Sequence, residues 1–277
     1  MKTKEYLKSK LIEDIKKYYS NNNNSYILSN QYIDGICQSW LDDENQKVSV
    51  KRFEILNKYS PKANKILDMA GGCGTFYFYG FIKGYEMHAI EPEDWKHKLI
   101  KMKIEENQYP KEWINNFIDG HGEKLPYKDN YFDCVSSYQT LEHVQNIEKC
   151  LIELIRVTKK NGFIHIKCPN YSSTFEGHYK LPWLYVFSKF PSLAKCYLRV
   201  LNRPILGLET INDITYKKVM TILRNNFNND IKIVNLNREK FISKYKIKYL
   251  YWLYKLIKYI KIMFRAEYQI NILIRKR

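Results

Sequence analysis

The stretch "KILDMAGGCGTF", Lys65 to Phe76, constrains this chain more than any other. A short apolar strand pattern runs into Asp68, and three glycines and an alanine then fall within the five positions Ala70 to Gly74. A strand entering a glycine-dense turn lets a ligand approach the backbone. In an open parallel sheet that approach happens beyond the carboxyl ends of the strands. Two phosphate-cradling patterns fail on spacing. GxGxxG counted from Gly72 puts Tyr77 at the last glycine, and counted from Ala70 it puts Thr75 there; no Gly-Lys-Ser/Thr follows for a P-loop.

From Lys65 onward the pattern alternates. Strand-like runs occur at "KILDM", "EMHAIE", "INNFID", "YFDCVSSY" and "GFIHIKCP", and helical runs at "EDWKHKLIKMKIEEN" and "IEKCLIELIRVTKK". The second helix is expected to stop at Asn161-Gly162, a good terminator. Such alternation implies an α/β chain whose parallel sheet is covered on both faces. Upstream, "KEYLKSKLIEDIKKYY" and the stretch from Val48 to Tyr59 have helical spacing, separated by the polar run "SNNNNS". They predict an N-terminal helical cap over residues 1–60, followed by one domain over 61–277. Beyond Pro169 come an irregular stretch, a helix near Asp213 to Phe227, the strand "DIKIVNL", and a closing strand in "EYQINILIRKR".

Composition matters where it is uneven. The chain carries 46 Lys+Arg against 29 Asp+Glu, and from Lys180 to Arg277 the count is 21 against 5. A basic C-terminal third calls for nucleic acid, an anionic membrane or an anionic substrate. The six cysteines form no CxxC pair and no Cys/His spacing suits zinc, so no metal site is expected and a reducing cytoplasm fits. The charged start "MKTKEYLKSKLIEDIKKYY" does not read as a secretory signal.

The turn resembles the first motif of class I S-adenosylmethionine (SAM)-dependent methyltransferases, D-x-G-x-G-x-G, read here as Asp68, Ala70, Gly72 and Gly74. Alanine replaces the first glycine, which is compatible with the turn if its φ stays negative. Glu91 ends the second strand, 23 residues after Asp68, where an acid can accept the ribose hydroxyls. "DGHGEKLPYKDNYFDCVSSYQTLEHV" and "LIRVTKKNGFIHIKCPN" resemble the family's later segments, so the likeness covers about residues 62–171. It implies a Rossmann-like seven-stranded, mostly parallel sheet with an antiparallel last strand and helices on both faces. It also implies SAM as cofactor, with adenosine between Glu91 and the His121, Gly122, Glu123 loop, and Gln139 as a pocket wall. The family's adenine-binding Asp falls on His121, so Asp119 or backbone at Gly122 stands as an alternative.

Methyl transfer needs alignment, and a base when the acceptor is a hydroxyl. His143, in "LEHV", is a base or acceptor contact on one reading and a structural hydrogen bond on another; Glu142 shares that ambiguity. His178, in "EGHYKLPW", falls in an expected acceptor lid over residues 171–212, which on the alternative reading packs on itself through Trp183, Leu184 and Phe187. "GHYKLPW" followed by "YLRVLNR" is similar to methyltransferases of bacterial surface-polysaccharide clusters. The expected acceptor is therefore a small anionic or sugar molecule: a hydroxyl of a sugar, a nucleotide-linked sugar or a capsule-type envelope precursor. An RNA methyltransferase and a non-catalytic scaffold at the membrane are the alternatives. "SYQTLEH" lacks the Asn/Asp-Pro-Pro-Tyr/Phe of base-amine methylases, which disfavours nucleic acid. Across 240–264, Lys244, Lys248, Lys255, Lys258 and Lys261 share a sector of about 140° opposite Trp252, Leu256 and Ile260. That basic amphipathic helix suits the inner face of an anionic membrane, giving a cytoplasmic protein with peripheral contact.

Overall fold

The computed structural model describes residues 5–6, 8–13, 30–173, 175–176, 181–201, 211–236 and 269–277. In chain order its elements are α1 (Asn30–Leu41), α2 (Lys47–Tyr59), β1 (Lys65–Met69), α3 (Thr75–Ile82), β2 (Glu86–Ile90) and α4 (Asp94–Glu106). A 3-10 turn (Lys111–Asn116), β3 (Phe117–Ile118), β4 (Phe132–Tyr138), α5 (Ile147–Val157) and β5 (Thr158–Pro169) follow. Then come β6 (Phe175–Glu176), β7 (Leu181–Pro182), α6 (Tyr185–Lys189), α7 (Pro191–Val200), α8 (Tyr216–Phe227), β8 (Ile231–Asn235) and β9 (Gln269–Lys276). The main sheet has seven strands in the order β3-β2-β1-β4-β5-β9-β8. β1 to β3 run parallel, with Lys65 opposite Glu86 and Ala89 opposite Phe117, while β9 pairs antiparallel with β8. This is the seven-stranded α/β sheet with a reversed last strand that the sequence implies.

Two compact units can be distinguished, residues 1–136 with 153–163 and residues 137–152 with 164–277. In the first, α3 ("TFYFYGFI") is apolar on all sides because it is enclosed on all sides. Phe76, Tyr77 and Phe78 are buried with Phe53 and Leu56 of α2, Met87 and Ala89 of β2, and Ile100 and Ile104 of α4. Gln46 caps α2 by accepting the Ser49 N–H at 2.7 Å. In the second unit, Tyr138, His165 and Asn271 form a hydrogen-bonded row, with contacts of 2.9 and 3.0 Å along it. The Asn170 side-chain amide oxygen accepts from Ser172 Oγ and from the Tyr216 N–H, tying the end of β5 to α8.

Three sequence expectations change. Helix α1 was not expected, although Ile36, Cys37, Trp40 and Leu41 have helical spacing; Gly35 and the polar residues around it hide the stripe. "INNFID" is mostly a 3-10 turn, leaving only Phe117 and Ile118 as strand. Helix α5 ends at Val157 rather than at Asn161-Gly162. Its last carbonyls find partners early: Thr158 Oγ1 donates to the Leu154 carbonyl, and the Asn130 and Tyr131 N–H groups donate to the Arg156 and Val157 carbonyls. Asn161, left-handed at φ 62°, then bends the start of β5 instead of closing a helix. The basic helix expected over 240–264 lies outside the described residues.

Gly162 is required at that bend by proximity. A Cβ there would come within 2.8 Å of the Lys159 carbonyl oxygen and 2.9 Å of the Asp133 carbonyl oxygen. Gly162→Ala is expected to destabilise the fold by about 2 kcal/mol, in the range for overpacking. Urea unfolding followed by circular dichroism measures this.

Candidate functional site

The turn after β1 alternates handedness. Ala70, Gly72 and Gly74 all have positive φ, at 60°, 56° and 75°. The expectation of a negative φ at Ala70 is corrected, and the cause lies next door. Gly71 donates its N–H to the Ile90 carbonyl at 2.9 Å. A Cβ on Gly71 would lie 2.8 Å from Ala89 Cβ and 2.9 Å from the Phe117 ring. The chain must reverse at Ala70 to press Gly71 against β2, so alanine accepts a left-handed backbone at a cost of about 1 kcal/mol. Beyond Gly72 there is open space, with nothing within 4 Å of where a Cβ would sit. That opening is where a ligand can meet the backbone.

Asp68 lies beneath the turn and is buried. It is bonded to Arg52 of α2, whose guanidinium also donates to Ser136 Oγ at 2.7 Å and stacks 3.6 Å from the centroid of the Phe76 ring. Burial pushes the Asp68 carboxyl up to about 6, against the opposing pull of Arg52. No motif singles out Arg52, yet its place in α2 carries a signal. Ser49, Arg52, Phe53 and Leu56 form the buried stripe of α2, and a charge within such a stripe demands a buried partner.

Glu91, just past β2, is also buried. Its carboxylate accepts from the Gly72 N–H at 2.8 Å, the Glu93 N–H at 3.2 Å and Lys96 Nζ at 3.1 Å. A carboxylate offers about four acceptor positions, so roughly one is left for a ligand hydroxyl. Next to it opens a cavity of about 390 Å³ lined by Pro92, Asp94, His97, Ile100, Phe117 and Asp119, among others. Of the residues considered for adenine, Asp119 borders this cavity, whereas exposed His121 is not among its lining residues. Gly122 and Glu123 sit half-buried in the turn that follows, where the Lys124 N–H closes on the His121 carbonyl. At the head of α3, Gly74 provides no side-chain cap, which leaves the first helical N–H groups for an anion. A buried acid, an open backbone at Gly72 and an uncapped helix start fit the ribose and the carboxylate of SAM.

The remaining expected residues belong to the second unit. Gln139 is exposed at the end of β4, left-handed at φ 52°, and donates its N–H to the Lys167 carbonyl at 2.7 Å. His143 is exposed, while Glu142 beside it is fully buried. Asn212 holds this loop, its backbone N–H on the Glu142 carbonyl at 2.7 Å and its side-chain amide on the Leu141 and Val144 carbonyls. Its position, 68 residues after Val144, gave no sequence signal. His178 lies outside the described residues. In the segment expected as a lid, Trp183 and Phe187 are buried, as on the reading in which it packs on itself, but Leu184 is 59% exposed. Tyr197 takes its place, stacking on Phe187 at 4.7 Å between centroids.

A glycine turn over a buried carboxylate, an acid closing the neighbouring strand and this strand order are the features expected of a class I SAM-dependent methyltransferase domain. Residues 67–166, about a third of the chain, match the family model described as a methyltransferase domain. An uncharacterized methyltransferase of Schizosaccharomyces pombe is 33% identical over 155 residues, 54% of this chain and 51% of that protein. The ubiquinone/menaquinone biosynthesis C-methyltransferase UbiE of Yersinia enterocolitica is 31% identical over 116 residues, 40% of this chain and 45% of its own. The chain thus spans about half the length of the curated relatives it matches. Among solved structures, the PH0226 protein of Pyrococcus horikoshii shares the fold, with a TM-score of 0.51, 15% identity, and coverage of 84% of this chain and 92% of that one.

Two measurements follow from the turn and the acid beneath it. Ala70→Gly removes the left-handed penalty and is expected to raise unfolding free energy by about 1 kcal/mol, read from chemical denaturation. Asp68 holds its proton in the folded chain at pH values where the unfolded chain has lost it. Its stabilising contribution is therefore complete below its unfolded value and lost as pH rises through about 6. The stability of wild type relative to Asp68→Asn is accordingly expected to fall as pH rises from about 4 to about 7. A difference that grows over that interval would contradict the assignment.

Proposed function

We propose that the protein transfers a methyl group from SAM to a small polar acceptor, a hydroxyl of a sugar, a nucleotide-linked sugar or a related envelope precursor. The observation that carries the cofactor side is Glu91, a buried carboxylate already oriented by Gly72, Glu93 and Lys96 with one acceptor position left. When bound, SAM supplies an electrophilic methyl group on a sulfonium that is a good leaving group. The chain's task is then mainly alignment. Glu91 accepts a ribose hydroxyl, the cavity beside Pro92 and Asp119 receives the adenine, and the uncapped start of α3 favours the carboxylate. His143 and His178 are the residues proposed to meet the acceptor, with His143 accepting the hydroxyl proton.

The acceptor reading rests on the stretch "GHYKLPW" and on the basic C-terminal third, which suits an anionic molecule. Lysines of the 240–264 stretch supply peripheral contact with an anionic membrane surface in this reading. No helix among the described residues is long and apolar enough to cross a membrane. A second reading, methylation of a quinone-type ring carbon, is favoured by the named function of the Yersinia relative.

S-adenosylhomocysteine release separates the two. Turnover on nucleotide-sugars with none on demethylmenaquinone supports the first reading, and the reverse result replaces it with the second. Glu91→Ala is expected to weaken SAM binding by about tenfold or more, as expected for losing a charge-assisted hydrogen bond. His143→Ala and His178→Ala are expected to lower kcat while leaving SAM affinity unchanged.

A further inference from the structure

Lys103, in the last turn of α4, is fully buried, yet its ammonium group has a partner for each of its three protons. It donates to the Trp40 carbonyl at the end of α1 at 3.1 Å and to the Cys73 carbonyl inside the glycine turn at 3.0 Å. Its third partner is the Asp43 carboxylate, in the connector between α1 and α2. Tyr109 Oη donates to the other Asp43 oxygen at 3.4 Å, and the Phe78 ring lies 4.9 Å from the ammonium. A buried lysine stays charged only with such partners, so the N-terminal segment and the turn share one cation.

The Cys73 carbonyl lies between the two left-handed glycines of the turn, Gly72 and Gly74. From this geometry we infer that Lys103 is a positioning residue for cofactor binding, and that Asp43 makes the N-terminal segment a working part of the cofactor site. The ammonium fixes the peptide that joins Gly72 to α3. That peptide sets where the Gly72 backbone and the helix start point. Asp43 and the Trp40 carbonyl hold the ammonium in place from the other side. Leu11 and Cys37 pack with Cys73 and Leu99 in one apolar cluster, so the N-terminal segment reaches the turn through packing as well. The inference rests on the SAM reading above.

The test measures S-adenosylhomocysteine affinity by calorimetry on the full chain, with amide exchange at residues 71–75 followed in parallel. Wild-type binding reports on the cofactor reading by itself; if wild type binds neither SAM nor its demethylated product, that reading fails rather than this one. In Lys103→Met/Asp43→Leu both charges are removed together, a change that buried ion pairs tolerate. The double variant is expected to bind about tenfold more weakly, with faster exchange in the turn and unchanged protection in β1 and β2. Should it not fold, Asp43→Asn carries the test, because its amide oxygen still accepts from the ammonium. About threefold weaker binding with faster exchange at 71–75 is expected there. Wild-type affinity in a folded variant, or weaker binding with unchanged exchange in the turn, overturns the proposal.

Discussion

A carboxylate buried at the end of the first strand must be matched by a cation, and that requirement shapes the first unit. Asp68 cannot stay ionised beneath the turn without Arg52, and Arg52 reaches it only when α2 packs across α3. The same guanidinium lies on Phe76 of α3 and bonds Ser136 of β4, so one side chain of α2 joins a second helix and two strands. Breaking such a pair from one side costs about 3–5 kcal/mol, a large share of a domain's net stability. The N-terminal helices are therefore bound to the sheet by electrostatics as well as by the aromatic contacts of Phe53 with Phe76 and Tyr79, at 4.5 and 5.1 Å between ring centroids.

The same logic sets Glu91 apart. Asp68 is matched within the fold by a guanidinium and a neighbouring hydroxyl. Glu91 is matched by two backbone N–H groups and one ammonium and keeps room for another donor. Lys96 answers this by holding its proton more firmly than an ordinary lysine, because Glu91 and Glu93 outweigh the burial that opposes its charge. Two acids that end adjacent strands thus differ: one is matched fully within the fold, and the other keeps an acceptor position for the proposed ligand. Strain follows the same division, since Ala70 is forced left-handed where Gly71 touches β2 and Gly72 is left open.

How much of this the sequence announced depends on the range over which each constraint acts. Strand β1 matches "KILDM" residue for residue, and Glu91 was found by counting forward from Asp68, because both obey local spacing. The sign of φ at Ala70 was not legible, since it is imposed by Ala89 and Phe117, about twenty and about fifty residues away. The end of α5 is hidden for a similar reason: the N–H groups that satisfy its last carbonyls come from Asn130 and Tyr131 on a preceding loop. Lys103 is the sharpest case. In "KLIKMKIEEN" it looks like one more exposed lysine, and only the convergence of Trp40, Asp43 and Cys73 makes it a buried one.

That contrast also explains why the cofactor side of the site is better determined than the acceptor side. A turn that must pass a backbone close to a ligand restricts residue type at each step, so Gly71, Gly72 and Gly74 carry information one by one. A loop that meets an acceptor is restricted only in what it presents, and its support can come from anywhere. Asn212 shows this: it gathers the carbonyls of Leu141, Glu142 and Val144 around His143, yet any residue able to donate three hydrogen bonds at that point would do the same. The family match ends at residue 166, within β5 and before the segments proposed to meet the acceptor. What the family model shares with this chain is therefore the stretch whose residues are most restricted by backbone geometry, and the segments beyond it are those where geometry leaves the sequence free.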